Sequence, residues 1–140
     1  MGGIKVGRWL AGGIAAGLLI WVLEGAGSVL FMEEAQTALE AHNLSLDLTP
    51  GFMAMTVLVS LLTGLVLVFF YAAARPRFGP GPRTAVIVGV VTWLAGYFLS
   101  LVGYGMIGLY ATGLLVKWGV VGLVELILGA LLGGRIYRED

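Results

Sequence analysis

The 140-residue sequence has no cysteine, a single histidine and a charged fraction of only 11%. Without cysteine there is no disulfide framework, no thiolate metal site and no cysteine nucleophile, and the redox compartment leaves no mark. One histidine excludes an H-E-x-x-H zinc site and bis-histidine haem ligation. A soluble domain carries about 25% charge, so this chain has too few polar side chains to cover a globular surface. The 8 basic residues balance the 8 acidic ones, which removes any bulk attraction to nucleic acid. No metal, cofactor or enzymatic signature is implied, and the one sizeable polar stretch is Glu33 to Leu48.

What is abundant is apolar: 59% of residues are hydrophobic and the mean hydropathy is +1.00. A transmembrane helix needs about 20 mostly apolar residues, and four such stretches are present. They cover residues 9–32, 51–74, 84–104 and 114–137, with an outer segment at 33–48 and a cytoplasmic loop at 75–83. The expected fold is therefore an all-α integral membrane protein, an antiparallel bundle of four transmembrane helices in a single domain. Thr49-Pro50 has the form of a helix cap followed by proline at the first helical position. Arg75-Pro76 is expected to end the second helix, since the residue before proline is driven from helical geometry. The first helix is expected to run about two turns past the membrane along Ala35, Ala38 and Leu39.

Basic residues are retained on the cytoplasmic side. Lys5, Arg8, Arg75, Arg77, Arg83, Arg135 and Arg138, seven of the eight, would share one side of a four-span chain with both termini, and Lys117 would lie opposite. Lys5 and Arg8 ahead of an apolar run with Gly25 to Ser28 also fit a cleavable signal peptide, but the apolar character resumes through Val29 to Met32. Arg75, Arg77 and Arg83 read as a topology signal that could also touch anionic headgroups. Lys117, near the outer interface, is expected to snorkel rather than to pair with Glu125.

Glycine is the other excess, at 23 residues. Helices in lipid associate through close backbone approach and interhelical hydrogen bonds, and each stretch has a small-residue stripe at helical spacing. The first has Gly13, Gly17, Trp21, Glu24 and Ser28; the second has Thr56, Ser60, Thr63 and Gly64. The third has Gly89, Trp93, Gly96, Ser100 and Gly103; the fourth has Trp118, Gly122, Glu125, Gly129 and Gly133. Gly13, Gly17, Gly96, Gly122 and Gly129 are the expected packing positions. Trp9, Tyr71 and Tyr137 on one side, with Phe31, Tyr104, Tyr110 and Trp118 on the other, read as interfacial belts.

Glu24 and Glu125 are the only acids inside the stretches. An ionisable side chain at the bilayer centre costs about 2.5–3.5 kcal/mol on insertion scales, so each needs a reason. Measured from Glu33 and Lys117 they lie at similar depth, about 13 and 12 Å at the helical rise; measured from Arg8 and Arg135 the depths disagree, so their meeting is open. Either they bind a proton or cation, or they act as interhelical hydrogen-bond donors. His42, beside Glu40 and Asp47, reads as a solvated loop residue, and Asn43-Leu44-Ser45 matches a glycosylation sequon that matters only in a eukaryotic secretory pathway.

The segment FYAAARPRFGPGPRTA, flanked by the glutamate-bearing first and fourth helices, resembles a group of small bacterial inner-membrane proteins of unassigned function. That resemblance implies a bacterial cytoplasmic membrane and supplies no activity. A looser similarity, four short helices with a glutamate in the first, links it to the small multidrug-resistance transporters. The second glutamate, the longer outer segment and the strong charge bias depart from that pattern. The expected role is thus a non-enzymatic packing protein or accessory subunit, with the bilayer and a homo-oligomer or larger membrane complex as partners. The alternative is a proton- or cation-coupled carrier using Glu24 and Glu125, and a polar cavity reaching either glutamate would favour it.

Overall fold

The computed structural model describes residues 3–138. All of its regular structure is helical: α1 (Val6–Leu30), α2 (Met32–Glu40), α3 (Pro50–Phe78), α4 (Pro82–Thr92), a π-helical segment (Trp93–Phe98), α5 (Leu99–Met106) and α6 (Thr112–Ile136). Because α4, the π segment and α5 join into one rod, Pro82–Met106, there are four long apolar helices of 25 to 29 residues, each long enough to cross a membrane.

Local chemistry sets the ends of these helices. The Thr49 hydroxyl accepts the Phe52 N–H at 3.1 Å and Pro50 opens α3, the cap legible in the sequence. At Phe31 (φ −113°, ψ 14°) the chain leaves helical geometry, so the outer extension is a separate helix. α2 ends where Asn43 turns left-handed (φ 56°) and the Leu44 N–H closes on the Leu39 carbonyl at 2.9 Å, an arrangement asparagine tolerates.

The expected loop at 75–83 is corrected to three residues. α3 continues through Arg75, Pro76 and Arg77 to Phe78. Proline deprives one carbonyl of its N–H partner, but Pro76 lies exposed in the last turn, where the loss is small. The helix is ended instead by Gly79 (φ 81°), with Pro80 and Gly81 (φ 124°) completing the turn.

Backbone contact holds the rods together. A Cβ on Gly17 would lie 2.7 Å from the Leu61 Cα and one on Gly13 2.9 Å from the Leu65 Cα, while Gly64 sits directly on the Gly13 carbonyl and the Gly17 backbone. On the other flank a Cβ on Gly89 would lie 2.9 Å from the Ile127 Cα. Indole N–H groups lace the same seams: Trp9 donates to the Leu65 carbonyl at 2.8 Å, Trp21 to the Thr56 hydroxyl at 3.1 Å and Trp93 to the Gly119 carbonyl at 2.9 Å. Trp9, assigned from the sequence to an interfacial belt, is thus a cross-helix donor.

The core is lopsided. Ala16, Ile20, Leu67, Val68, Tyr71, Ala85, Val88, Leu126, Ala130 and Tyr137 form one buried cluster toward the end that gathers residues 5–8, the 79–81 turn and residues 135–138. At the α2 end, no residue from Pro50 to Val59 or in α5 is fully buried. There Lys117 pairs with Glu34 at 2.5 Å, both about half exposed, and lies 5.5 Å from the centre of the Phe31 ring. An exposed pair of this kind is worth at most about 1 kcal/mol.

If the α1–α3 backbone contact governs stability, Gly64→Val should destabilise the fold by about 1–3 kcal/mol through overpacking. Gly96→Ala, where a Cβ meets nothing within 4 Å, should stay within about 0.5 kcal/mol. Reversible unfolding in mixed micelles measures both, and equal losses at the two positions would contradict this account.

Candidate functional site

The face of α1 that packs through Gly13, Gly17 and Ile20 continues to Glu24, which is half-buried. On α6, Glu125 is only 2% exposed. Glu24 and Glu125 line one cleft, so the two acids whose meeting residue counting leaves open share a site. Tyr97 completes the group: its hydroxyl donates to Glu24 Oε2 at 3.5 Å. Its ring lies over Gly122, where a Cβ would fall 2.6 Å from the ring carbons. Gly122 is therefore a packing position as expected, and what it admits is the tyrosine of the site.

The π-helical segment makes this possible. A regular helix turns every 3.6 residues, which would align Gly89 with Gly96 and Gly103. Within Trp93–Phe98 each rotation takes more residues, so the inward face instead steps through Gly89, Trp93, Tyr97 and Leu101. Gly89 meets Ile127, Trp93 and Leu101 meet Gly119, and Tyr97 meets Gly122. Gly96 is rotated outward and packs against nothing, which corrects its expected role as a packing residue. Gly13 and Gly17 pack as expected, and Gly129 does so against Ile20 and Leu67.

Above the carboxyls a cleft of about 550 Å³ opens between the loosely packed half of α3 and the π segment. Phe52, Met55 and Val59 make its walls apolar; Thr56, Ser60 and Thr63, the polar stripe legible in the second helix, give it hydroxyls. Glu24, Glu125, Thr92 and Tyr97 line it as well. Glu125 Oε2 and Thr92 Oγ1 are buried there with no hydrogen-bond partner among the described residues. An unsatisfied buried polar atom costs about 1–3 kcal/mol, so two such atoms beside one cleft mark a place prepared for a polar guest.

Two carboxyls, a phenol and a threonine hydroxyl can share a proton or balance a monovalent cation. No cluster of three His, Cys, Asp or Glu that could hold a metal ion occurs among the described residues. His42 lies in the exposed outer segment, donating from Nδ1 to the Ala38 carbonyl at 2.8 Å. Arg75, Arg77 and Arg83 sit at the opposite end of the molecule, with Arg77 and Arg83 exposed. Lys117 pairs with the exposed Glu34 and not with Glu125 among the described residues. Sequence reasoning missed Tyr97 and Thr92; the available signal was a hydroxyl-bearing aromatic inside the uncharged run from Thr84 to Val116.

No protein-family model, curated protein or solved structure matches the chain.

The site predicts a separation between two substitutions. Tyr97→Phe removes only one long hydrogen bond and should cost no more than about 1.5 kcal/mol, whereas Gly122→Val must displace the ring and should cost about 1–3 kcal/mol. Dicyclohexylcarbodiimide, an apolar carboxyl reagent, should modify Glu24 or Glu125 in membranes. Peptide mapping that found label only on Glu33, Glu34 or Glu40 would mean that the cleft does not admit it.

Proposed function

We propose that the protein is a proton- or cation-coupled carrier of the bacterial inner membrane, with Glu24 and Glu125 as its binding site. Its four long helices cross the bilayer as an antiparallel bundle with both termini in the cytoplasm, the side to which seven of eight basic residues are assigned. One observation carries the carrier reading: Glu24 and Glu125 line one cleft, and Glu125 Oε2 is buried beside it with no hydrogen-bond partner among the described residues. Glutamates that served only as helix glue would spend their oxygens on neighbouring helices. An intramembrane carboxyl with access is the usual mark of an ion or substrate path. Bound cation and bound proton would compete for the same oxygens, which is how uptake of one can drive release of the other.

A second reading, a subunit that docks on other membrane chains, is supported by Gly96, Ser100 and Gly103. The π turn leaves these small residues exposed on the outer side of the third rod. The two readings are compatible, although the stripe and the cleft share Gly96.

The carrier is tested in proteoliposomes holding a trapped pH dye, with K⁺ as a small cation and tetraphenylphosphonium as an apolar one. Cation addition should move protons in the opposite direction. Glu24→Gln and Glu125→Gln should each lower that flux at least about tenfold, the effect of about 1.4 kcal/mol, while expression and unfolding midpoint are retained. Unchanged flux in the double variant, or no flux above empty liposomes with either cation, would sink the proposal.

A further inference from the structure

Helical hydroxyls in this chain commonly bond their own helix. Thr37 donates to the Glu33 carbonyl at 2.9 Å, Thr56 to that of Met53 at 2.7 Å, Thr63 to that of Val59 at 2.8 Å and Ser100 to that of Gly96 at 2.8 Å. This local bond satisfies a threonine or serine within a helix. Thr92 departs from the pattern. Its backbone is regular helix (φ −64°, ψ −41°), so a carbonyl one turn earlier stands in the usual geometry. Its Oγ1 is nevertheless buried with no hydrogen-bond partner among the described residues, and Oε2 of Glu125, which lines the same cleft, is in the same condition.

The π segment that begins at the next residue brings Tyr97 to the same place. Five residues apart, Thr92 and Tyr97 would point about 140° away from each other on a 3.6-residue helix. The wider turn takes more residues for each rotation, and both side chains line the cleft with Glu24 and Glu125. These four groups offer oxygen and no nitrogen or sulfur, the donor set of a hard metal cation. With no third acid beside the pair among the described residues, a monovalent ion fits the charge better than a divalent one. An alkali cation takes a hydroxyl lone pair as a ligand. A bulky organic cation, its charge covered by hydrocarbon, has no such use for the hydroxyl and would rest on the walls of Phe52, Met55 and Val59.

We propose that Thr92 is a ligand of the transported ion: its hydroxyl oxygen and Glu125 Oε2 together seat an alkali-metal cation, sodium or potassium, and favour it over organic cations. This inference rests on the carrier reading of the same cleft and adds to it a specificity-determining residue on the third rod. Two consequences run in opposite directions. A buried hydroxyl without a partner destabilises the empty protein, so replacing it by the isosteric valine methyl should not lower stability, although it removes a ligand. A hydroxyl that only held the fold together would show the reverse.

The full chain in nonionic micelles is unfolded thermally while sodium or potassium is titrated, with bulky, hydrophilic N-methylglucamine making up the ionic strength. A ligand that binds only the folded state raises the midpoint. The wild type and Thr92→Ser should respond alike to at least one of the two ions, whereas Thr92→Val should need about tenfold more of it, the scale of one bond to a charged partner. Without either ion, the Thr92→Val midpoint should equal or exceed that of the wild type. In proteoliposomes, proton movement driven by tetraphenylphosphonium should be the same in Thr92→Val as in the wild type. A wild-type midpoint insensitive to both alkali ions, an unchanged titration in Thr92→Val, or an ion-free midpoint that falls in Thr92→Val and returns in Thr92→Ser would overturn the role of Thr92. The carrier reading fails separately. It falls if the wild type moves no protons with either K⁺ or tetraphenylphosphonium, and it survives an ion-insensitive midpoint if tetraphenylphosphonium still drives flux that Glu24→Gln and Glu125→Gln abolish.

Discussion

Gly64 resting on Gly13 and Gly17 brings two helix backbones together with no side chain between them, and the remaining architecture follows from that contact. In lipid, apolar side chains gain nothing by leaving the solvent, so dispersion at short range and hydrogen bonds across the seam must supply the attraction. Both are concentrated on one side of α1: glycine steps at 13 and 17, indole donors at 9 and 21. Glycines at this one locus bring α3 close, while its other end, from Pro50 to Val59, has no fully buried residue. The opening above Glu24 and Glu125 is thus a consequence of where the glycines stop. A small chain with one tight end and one open end needs no separate domain to make a binding cleft.

The third rod resolves two demands that a regular helix cannot meet together. Gly89 must face Ile127 for α4 to pack on α6, and Tyr97 must face Gly122 to reach Glu24. Eight residues apart, these positions diverge on a 3.6-residue helix. A π turn between them restores the alignment at the cost of weakened backbone hydrogen bonding. Such turns often occur at functional sites, and here the reason is geometric: the distortion aims one phenol. It also releases Gly96, Ser100 and Gly103 from the interior, so the same local irregularity shapes both the cleft and the outer face of the rod.

Much of this was legible in the sequence, and the failures have specific causes. The four rods follow from charge-free runs, and the Thr49-Pro50 start follows from cap chemistry, because both depend on neighbours in the chain. The 75–83 loop is shorter than expected because the restriction on the residue before proline is a bias and not a prohibition: Arg75 stays helical, Pro76 is tolerated in an exposed last turn, and Gly79 is the true terminator. Gly96 was misplaced because periodicity assumes a constant turn, and nothing in the residues of the π segment announces its change. Glu24 and Glu125 were recognisable singly, since an acid in an apolar run is conspicuous. Their meeting and the arrival of Tyr97 between helices depend on contacts tens of residues apart, which spacing cannot report.

The placement of the two acids also bears on whether they are structural. Helix glue works by satisfaction: in hydrocarbon each polar atom must find a partner, and a residue kept for adhesion would have all its oxygens engaged. Here Glu125 is nearly fully buried, yet among the described residues Oε2 has no hydrogen-bond partner, and Thr92 Oγ1 beside the same cleft is in the same condition. A leucine at position 125 would pack without that cost, and Gly122 and Gly129 already supply close approach on the same helix face. Packing alone therefore explains the glycines of α6 but not its glutamate. What the glutamate adds is a carboxyl beside that of Glu24 on α1, under a cleft with apolar walls and hydroxyl groups. On the carrier proposal, a proton or cation arriving there would supply the partner that Oε2 lacks among the described residues.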